Sequence, residues 1–307
     1  MMRRINLAFA RNIPMPARKR KQKPEVSLIG TGRLGTTLAL ALRAKGYSIR
    51  SLASRRAQSA RKTATLLGEN VQVLSAKELA SLLPSDVFLI TVPDDQIASV
   101  VAELSHLRFD PKTRATALHT SGALSADVLE PLRKRRWHTG SIHPLVSVSG
   151  AEEQSVLSGA FWSVEGDKAA LRVGKTMVRD LEGKSFSIRS EDKPLYHAAA
   201  VMASGNVVAL FDVAMEMLVQ CGLPRKTARS ILLPLIASTV RNLESKDPAQ
   251  ALTGTFSRGD LETVKRHLEA LDRSKLADAL ELYRLLGQRS LKLTKDHPQI
   301  TQILKSV

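Results

Sequence analysis

The sequence predicts an α/β fold, a doubly wound parallel sheet followed by a second, all-helical domain. Three observations predict it. Short β-rich apolar runs alternate with helical stretches from Glu25 to about residue 190. A G-x-G-x-x-G loop follows the first of those runs and opens a helix. After Ser190 the β signal stops and only helical patterning continues. Strands that alternate with helices need crossover connections, which set neighbouring strands parallel and place helices on both faces of the sheet.

Each element follows from its own residues. "VSLIG" is an apolar, β-branched strand that ends at the glycine loop. "LGTTLALALRAKG" is an Ala/Leu-rich helix stopped by Gly46, and "YSIRSLAS" is the second strand. "RRAQSARKTATLLG" reads as a helix ended by Gly68, "VQVL" as a short strand and "SAKELASLL" as a helix. "DVFLITV" has the apolar run of a strand buried on both faces. "DDQIASVVAELS" is a helix whose acidic pair suits its N-terminal dipole. "RATALHT", "ADVLEPLRKR" and "WHTGSIHP" continue the alternation, and "FWSVEG" and "SFSIRS" are later strands around a helix near 167–182. Beyond them, "EDKPLYHAAAVMASGNVVALFDVAMEMLVQ", "PRKTARSILLPLIASTVRNLES" (bent at Pro234), "LETVKRHLEAL" and "KLADALELYRLLGQRSLKLT" are helical. The expected organisation is a basic tail over 1–24, a nucleotide-binding domain over 25–190 and a helical domain over 191–307.

The net charge of +17 points first to nucleic acid or a membrane surface. Its distribution weakens that reading, because residues 1–24 hold eight Lys and Arg and no Asp or Glu. With Pro14, Pro16 and Pro24, that stretch reads as a disordered extension. No nucleic-acid or membrane partner is expected. The longest apolar stretch, "HAAAVMASGNVVALF", is broken by Ser204, Gly205 and Asn206 and followed by Asp212, and so reads as short of a membrane span. The single cysteine, Cys221, sits at a helix end before Gly222 and Pro224 and reads as a structural thiol. One thiol and no secretory pattern fit a reducing, cytoplasmic setting. No cluster of metal-ligating residues stands out.

The glycine loop carries the first chemical signal. Strand, G-x-G-x-x-G and helix together form the Rossmann dinucleotide fingerprint. Gly30 permits the tight turn, Gly32 leaves room for a pyrophosphate, and Gly35 lets helix and strand approach. Thr31 lies within the loop, and the amides of Arg33 and Leu34 open the helix toward phosphate. An NAD site would carry Asp or Glu after the second strand. Here no acidic residue lies between Gly46 and Gly68, and Ser54, Arg55 and Arg56 follow the strand instead. A hydroxyl and two guanidinium forks suit a 2′-phosphate, so the expected cofactor is NADP(H). Val92, Pro93 and Asp94 end another strand on the same rim and would flank the nicotinamide ribose. "ALHTSGALS" and "GSIHPL" bring His119, Ser121 and His143 to that rim. Hydride transfer leaves a proton to be moved, and imidazole titrates near working pH.

The combination of "GTGRLG", "VPDDQI", "HTSGALS", "GSIHPL", "YHAAAVMASGN" and "LTGTFSRGDLETVKRHLEAL" resembles the oxidoreductases of unassigned substrate that join a Rossmann-like domain to a C-terminal helical domain of unknown function. The likeness runs from Glu25 to about residue 295. More distantly the chain is similar to prephenate dehydrogenases, pyrroline-5-carboxylate reductase and the 6-phosphogluconate dehydrogenase-like superfamily. The prephenate dehydrogenase likeness implies His143 as the acid/base and Ser121 as its partner. Hydroxyacid members of the superfamily carry a Lys shortly before an Asn on the first helix of the second domain. Here Asn206 is preceded by Met202, Ala203, Ser204 and Gly205, which argues against that mechanism. The resemblance also implies a homodimer formed through the helical domain.

His197, Asn206 and Arg258 are the candidate substrate-binding residues of the helical half, Arg258 for a substrate carboxylate. The expected function is hydride transfer to or from a small carbonyl, alcohol or imine compound bound between the domains. A non-enzymatic NADP(H)-binding redox regulator is the alternative.

Overall fold

A computed structural model describes residues 22–68, 70–107, 114–150, 154–274, 276–294 and 297–305. Residues 1–21, and with them most of the expected disordered extension, lie outside the described residues. Lys23 is described, and its ammonium pairs with Asp180 at 3.0 Å.

The first unit runs β1 (Glu25–Ile29), α1 (Arg33–Ala44), β2 (Ser48–Ser54), α2 (Ala57–Leu67), β3 (Gln72–Ser75), β4 (Val87–Ile90), α3 (Asp94–Ser105), β5 (Thr116–His119), α4 (Glu130–Lys134), β6 (His138–Pro144), β7 (Phe161–Gly166), α5 (Lys168–Asp180), β8 (Lys184–Phe186) and α6 (Lys193–Ala203). The strands form one eight-stranded sheet in the order β3-β2-β1-β4-β5-β6-β7-β8. Strands β1 to β6 pair in parallel in the doubly wound 3-2-1-4-5-6 order. β7 runs antiparallel to β6, and β8 parallel to β7. All eight strands read from the sequence are present. "SAKELASLL" instead makes a 3₁₀ turn over Ala76–Ser81, opened by a capping box between Ser75 and Glu78.

Both faces of the sheet are covered from within this unit. Leu38 and Leu42 of α1 and Val178 of α5 pack on one face with Leu28, Leu52 and Trp162. Ile97, Val101 and Leu104 of α3 pack on the other with Phe88, Ile90 and Trp137. β4 is buried along its whole length, as its uninterrupted apolar run requires. Parallel strands put the carboxyl ends of β1, β4, β5 and β6 on one rim, where the candidate residues gather.

The chain divides into two compact units, Met1–Ala200 and Val201–Val307, ten residues beyond the boundary read from sequence. The second unit holds α7 (Gly205–Gln220), α8 (Arg225–Ser245), α9 (Pro248–Ala251), α10 (Thr255–Arg258), α11 (Leu261–Ser274), α12 (Ala277–Leu291) and α13 (Pro298–Lys305). Pro234 falls inside α8. Val264, Leu291, Ile300 and Leu304 form its buried cluster. Val208, Ile231, Leu235 and Val240 are exposed. Cys221 is exposed at the end of α7. The stretch Ser190–Gln220 is long and apolar enough to cross a membrane by length and composition, contrary to the sequence reading, and it is mostly unburied. Its helix is interrupted at Ser204, the residue that caps α7.

Candidate functional site

The glycine loop is locked to its neighbour strand. Gly30 adopts φ +111°, and a Cβ there would lie 2.6 Å from the backbone of Thr91. A Cβ on Gly35 would collide with the carbonyl oxygen of Gly30 and lie 2.6 Å from Thr91 Oγ1. Thr91 Oγ1 donates to Gly30 O at 2.6 Å, and Gly30 N donates to Ala53 O at 2.8 Å. Gly32 differs, for a Cβ there would meet nothing within 4 Å. The space that only a missing side chain keeps open near a helix N-terminus is where a phosphate can reach the backbone.

A cavity of about 420 Å³ opens beside the loop. Gly30, Thr31, Gly32, Ser54, Arg55, Arg56, Val92 and Pro93 line it, together with Ser59, Gln96 and apolar side chains. Of the candidate cofactor residues, Arg33, Leu34, Gly35 and Asp94 are not part of that lining. Arg33 is exposed at the start of α1 and Leu34 packs against the core. Arg55 and Arg56 are exposed and form no ion pair among the described residues. Ser54 Oγ donates to Arg56 O at 2.5 Å and shapes the start of α2, which has no side-chain cap and no acid in its first turn. Thr31 Oγ1 is buried with no hydrogen-bond partner. A buried hydroxyl without a partner is costly. This orphan, the open approach at Gly32 and the unpaired guanidinium groups together fit a dinucleotide bearing an extra phosphate.

The second cluster lies on the same rim. His119 pairs across the sheet with Ser141, and Ser141 stands opposite Glu165 on the antiparallel strand β7. His119 is fully buried. Its Nδ1 accepts from Ser121 N at 3.2 Å and its Nε2 lies 3.1 Å from Ser125 O, so Nε2 carries the proton and donates. Burial, aided by the charge of Lys193, pushes its pKa down to about 4. With both nitrogens committed, His119 holds the turn. Ser121 Oγ donates to Asp94 Oδ2 at 2.8 Å and accepts from Ala123 N and Leu124 N at 3.2 and 3.0 Å. Ser121 thus ties the turn to the start of α3.

The group bonded to His143 is Tyr196 rather than Ser121, with Nδ1 2.7 Å from the tyrosine hydroxyl. Tyr196 and His197 both stand edge-on to the His143 ring, at centroid distances of 5.6 and 5.7 Å. Gly122 makes room for the two imidazoles, since a Cβ there would lie 2.6 Å from His197 Cδ2 and 2.8 Å from His143 Nε2. Burial first, then His197 and Lys193, push the His143 pKa down to about 4. Its imidazole is therefore neutral near pH 7, and Nε2 has no protein partner among the described residues. Burial pushes the Tyr196 hydroxyl up to about 12, so it stays protonated.

The same cluster holds Lys193, which the sequence reading missed. Its side chain is wholly buried. Nζ donates to Ser141 Oγ at 2.5 Å and to Ser121 O at 3.2 Å, and stands 3.4 Å from Glu165 Oε2. Burial lowers its pKa, while Glu165 and Asp94 act against that shift. Glu165 Oε1 accepts from Ala126 N at 3.1 Å and from Ser190 Oγ at 2.7 Å. One ammonium therefore joins β6, β7, α6 and the turn after β5. His197 is half-buried at this cluster. Asn206 and Arg258 belong to the helical unit and are exposed, Arg258 lying 3.7 Å from Asp260.

Comparison with known proteins agrees with this fold. Residues 13–144 match the model of the Rossmann-like domain, and residues 160–290 match that of a domain of unknown function, DUF2520. No curated protein matches the chain. A protein from Bacteroides fragilis, provisionally named an NADP oxidoreductase, is 24% identical with a TM-score of 0.73, the match covering 88% of this chain and 99% of that one. Protein TM1727 from Thermotoga maritima is 25% identical with a TM-score of 0.68, over 88% and 98%. A pyrroline-5-carboxylate reductase from Coxiella burnetii is 19% identical with a TM-score of 0.55, over 88% and 98%. This chain, then, is a Rossmann-like domain followed by a DUF2520 domain, the two-domain plan that its motifs resemble.

Proposed function

We propose that the chain is an NADP(H)-dependent oxidoreductase that transfers a hydride to or from a small carbonyl, alcohol or imine compound. The observation that carries this reading is one rim holding two complementary features. One is an open phosphate cradle with two unpaired arginines, and the other is a half-buried neutral imidazole with one nitrogen unengaged. Gly32, Thr31 and the start of α1 would hold the pyrophosphate, and Ser59, Arg55 and Arg56 the 2′-phosphate. The nicotinamide group, when bound, supplies or accepts the hydride.

His143 Nε2 is the protein atom suited to the substrate oxygen or nitrogen. A neutral imidazole takes the proton of an alcohol as its carbon gives up the hydride; in the reverse direction the protonated ring returns that proton to the oxygen or nitrogen as the carbon receives the hydride. Tyr196 orients the ring through Nδ1. His119, Ser121 and Lys193 position the turn against which it packs. Substrate bound between the domains, with His197, Asn206 and Arg258 contributing, is part of the proposal, as are a homodimer formed through the helical domain and a cytoplasmic setting. The name of the Coxiella burnetii relative, a reductase of a cyclic imine, favours testing imines first.

The test is a titration with NADPH and NADH followed by a screen of cyclic imines, keto acids and alcohols for change in nicotinamide absorbance. Tighter binding of NADPH is expected, and Arg55→Ala with Arg56→Ala should weaken it about 10–100-fold, at one to two charge-assisted bonds lost, with little effect on NADH. His143→Ala should keep NADPH affinity and lower turnover about 10²–10⁴-fold. Binding of neither nucleotide, or a preference for NADH, would overturn the cofactor assignment.

A further inference from the structure

The opposite rim of the sheet carries a second concave site. A cavity of about 500 Å³ lies at the amino-terminal ends of β5 and β6, between the end of α4 and the start of α5. Four of its lining side chains are the exposed cations Arg114, Arg136, Lys168 and Arg172, and none of them is ion-paired among the described residues. Because β1, β4, β5 and β6 are parallel, this cavity and the glycine loop occupy opposite ends of the same sheet.

The nearby counter-charges are already engaged. Arg133, also in the lining, donates to Glu130 at 2.9 Å and to Thr139 Oγ1 at 3.1 Å. The one carboxylate in the lining, Asp167, accepts from the amides of Ala169, Ala170 and Thr139 and lies 3.3 Å from His138 Nδ1. Those amides and His138 leave Asp167 little capacity to neutralise the four free cations. Three of the four are arginines, whose planar fork matches phosphate oxygens two at a time.

Arg136 supplies an independent observation. It has φ +64°, in the left-handed region, where α4 closes with Arg136 N donating to Arg133 O and Trp137 N to Leu132 O. Glycine is the residue this helix-ending position favours, because it has no Cβ to crowd the backbone. A strained arginine holds a guanidinium at the cavity where glycine would suit the fold better. We infer that this cavity binds a small molecule carrying two or more linked phosphates. The volume exceeds what a single phosphate needs. Trp137 is packed against Phe88, the tilted rings 4.9 Å apart, and is only 7% exposed, so it offers no free aromatic face to a nucleobase. Recognition therefore falls on the phosphate chain, whether free or attached to a nucleoside.

The experiment is calorimetric titration of the full-length protein with inorganic triphosphate, pyrophosphate and ATP at fixed ionic strength, with Trp137 fluorescence as a second readout. Saturable binding that strengthens from pyrophosphate to triphosphate is expected, with ATP equal to triphosphate if the nucleoside is passive. Arg114→Ala with Arg172→Ala should weaken triphosphate about tenfold or more, at roughly one charge-assisted bond each. Arg136→Gly should weaken binding while leaving the melting temperature unchanged or higher, which separates lost recognition from lost folding. Arg55→Ala with Arg56→Ala should leave triphosphate affinity unaltered. Absence of saturable binding, loss on changing Arg55 and Arg56 instead, or indifference to Arg136→Gly would each overturn the inference. So would RNA oligonucleotides that displace triphosphate with affinity rising with length, which would make the cavity part of a polynucleotide surface.

Discussion

The two units of this chain bury themselves to different degrees. The sheet unit covers both of its faces with its own helices and seals even polar groups such as Ser27, Thr37, Ser51 and Lys193. Among the described residues, the helical unit has one small buried cluster around Val264 and Ile300. Along α7 and α8 it leaves Val208 70% exposed and Leu235 62% exposed. Scattered apolar residues on a surface are ordinary, but rows of them on adjacent helices are the mark of a contact surface. The difference teaches that the sheet end packs its faces with its own helices, although Leu195 on α6 is exposed, whereas the helical end presents rows of apolar side chains, for which cover by a second copy of the chain is our proposal.

The largest expected effect tests the self-sufficiency of the sheet unit. Lys193→Met leaves Glu165 buried without its cation and should cost about 3–5 kcal/mol in urea unfolding, with most of that recovered when Glu165→Leu is added. A loss under about 1 kcal/mol would mean that the ammonium is not integral to the core. Next in size is the apolar face. Val208→Glu with Leu235→Glu should convert a dimer to monomer by light scattering and remove the concentration dependence of melting, an effect of roughly several kcal/mol for charges placed in a dry contact. An unchanged mass would erase the contrast between the two units.

The smallest prediction concerns pH. His119 and His143 have folded pKa values near 4, below the ordinary 6.5. The unfolded chain therefore binds more protons than the folded one between those values. Stability should be full above about pH 6.5, fall as pH drops toward 4 and lose nothing further to these groups below that. His119→Gln should flatten this slope without moving the melting of the helical unit. An equal slope in the variant would remove His119 from the explanation.

The strands were legible because each is an apolar, β-branched run cut off by glycine or polar residues, and the arginine pair because no acid competes with it. The polar rim was legible in its membership, since "HTSG" and "GSIHP" end parallel strands. Its wiring was not. Ser121 reaches Asp94, and Tyr196 reaches His143, through approaches that only the folded sheet creates. Lys193 was hidden for a similar reason. In sequence it is one more cation beside an acidic pair, and its burial depends on Ser141 and Glu165 meeting across the antiparallel junction of β6 with β7. The 3₁₀ turn at Ala76–Ser81 shows the converse, a capping box opening a short segment that winds tighter than an α-helix.

Thr91 has a consequence for how a nucleotide would arrive. Its hydroxyl grips Gly30 O, and its backbone and side chain leave no room for a Cβ at Gly30 or Gly35. The receptor for the diphosphate is thus cast in its final shape by the neighbouring strand, before any guest enters. Little chain entropy then remains to be surrendered at the moment of docking, so capture and escape should resemble a coin entering a slot more than a hand closing.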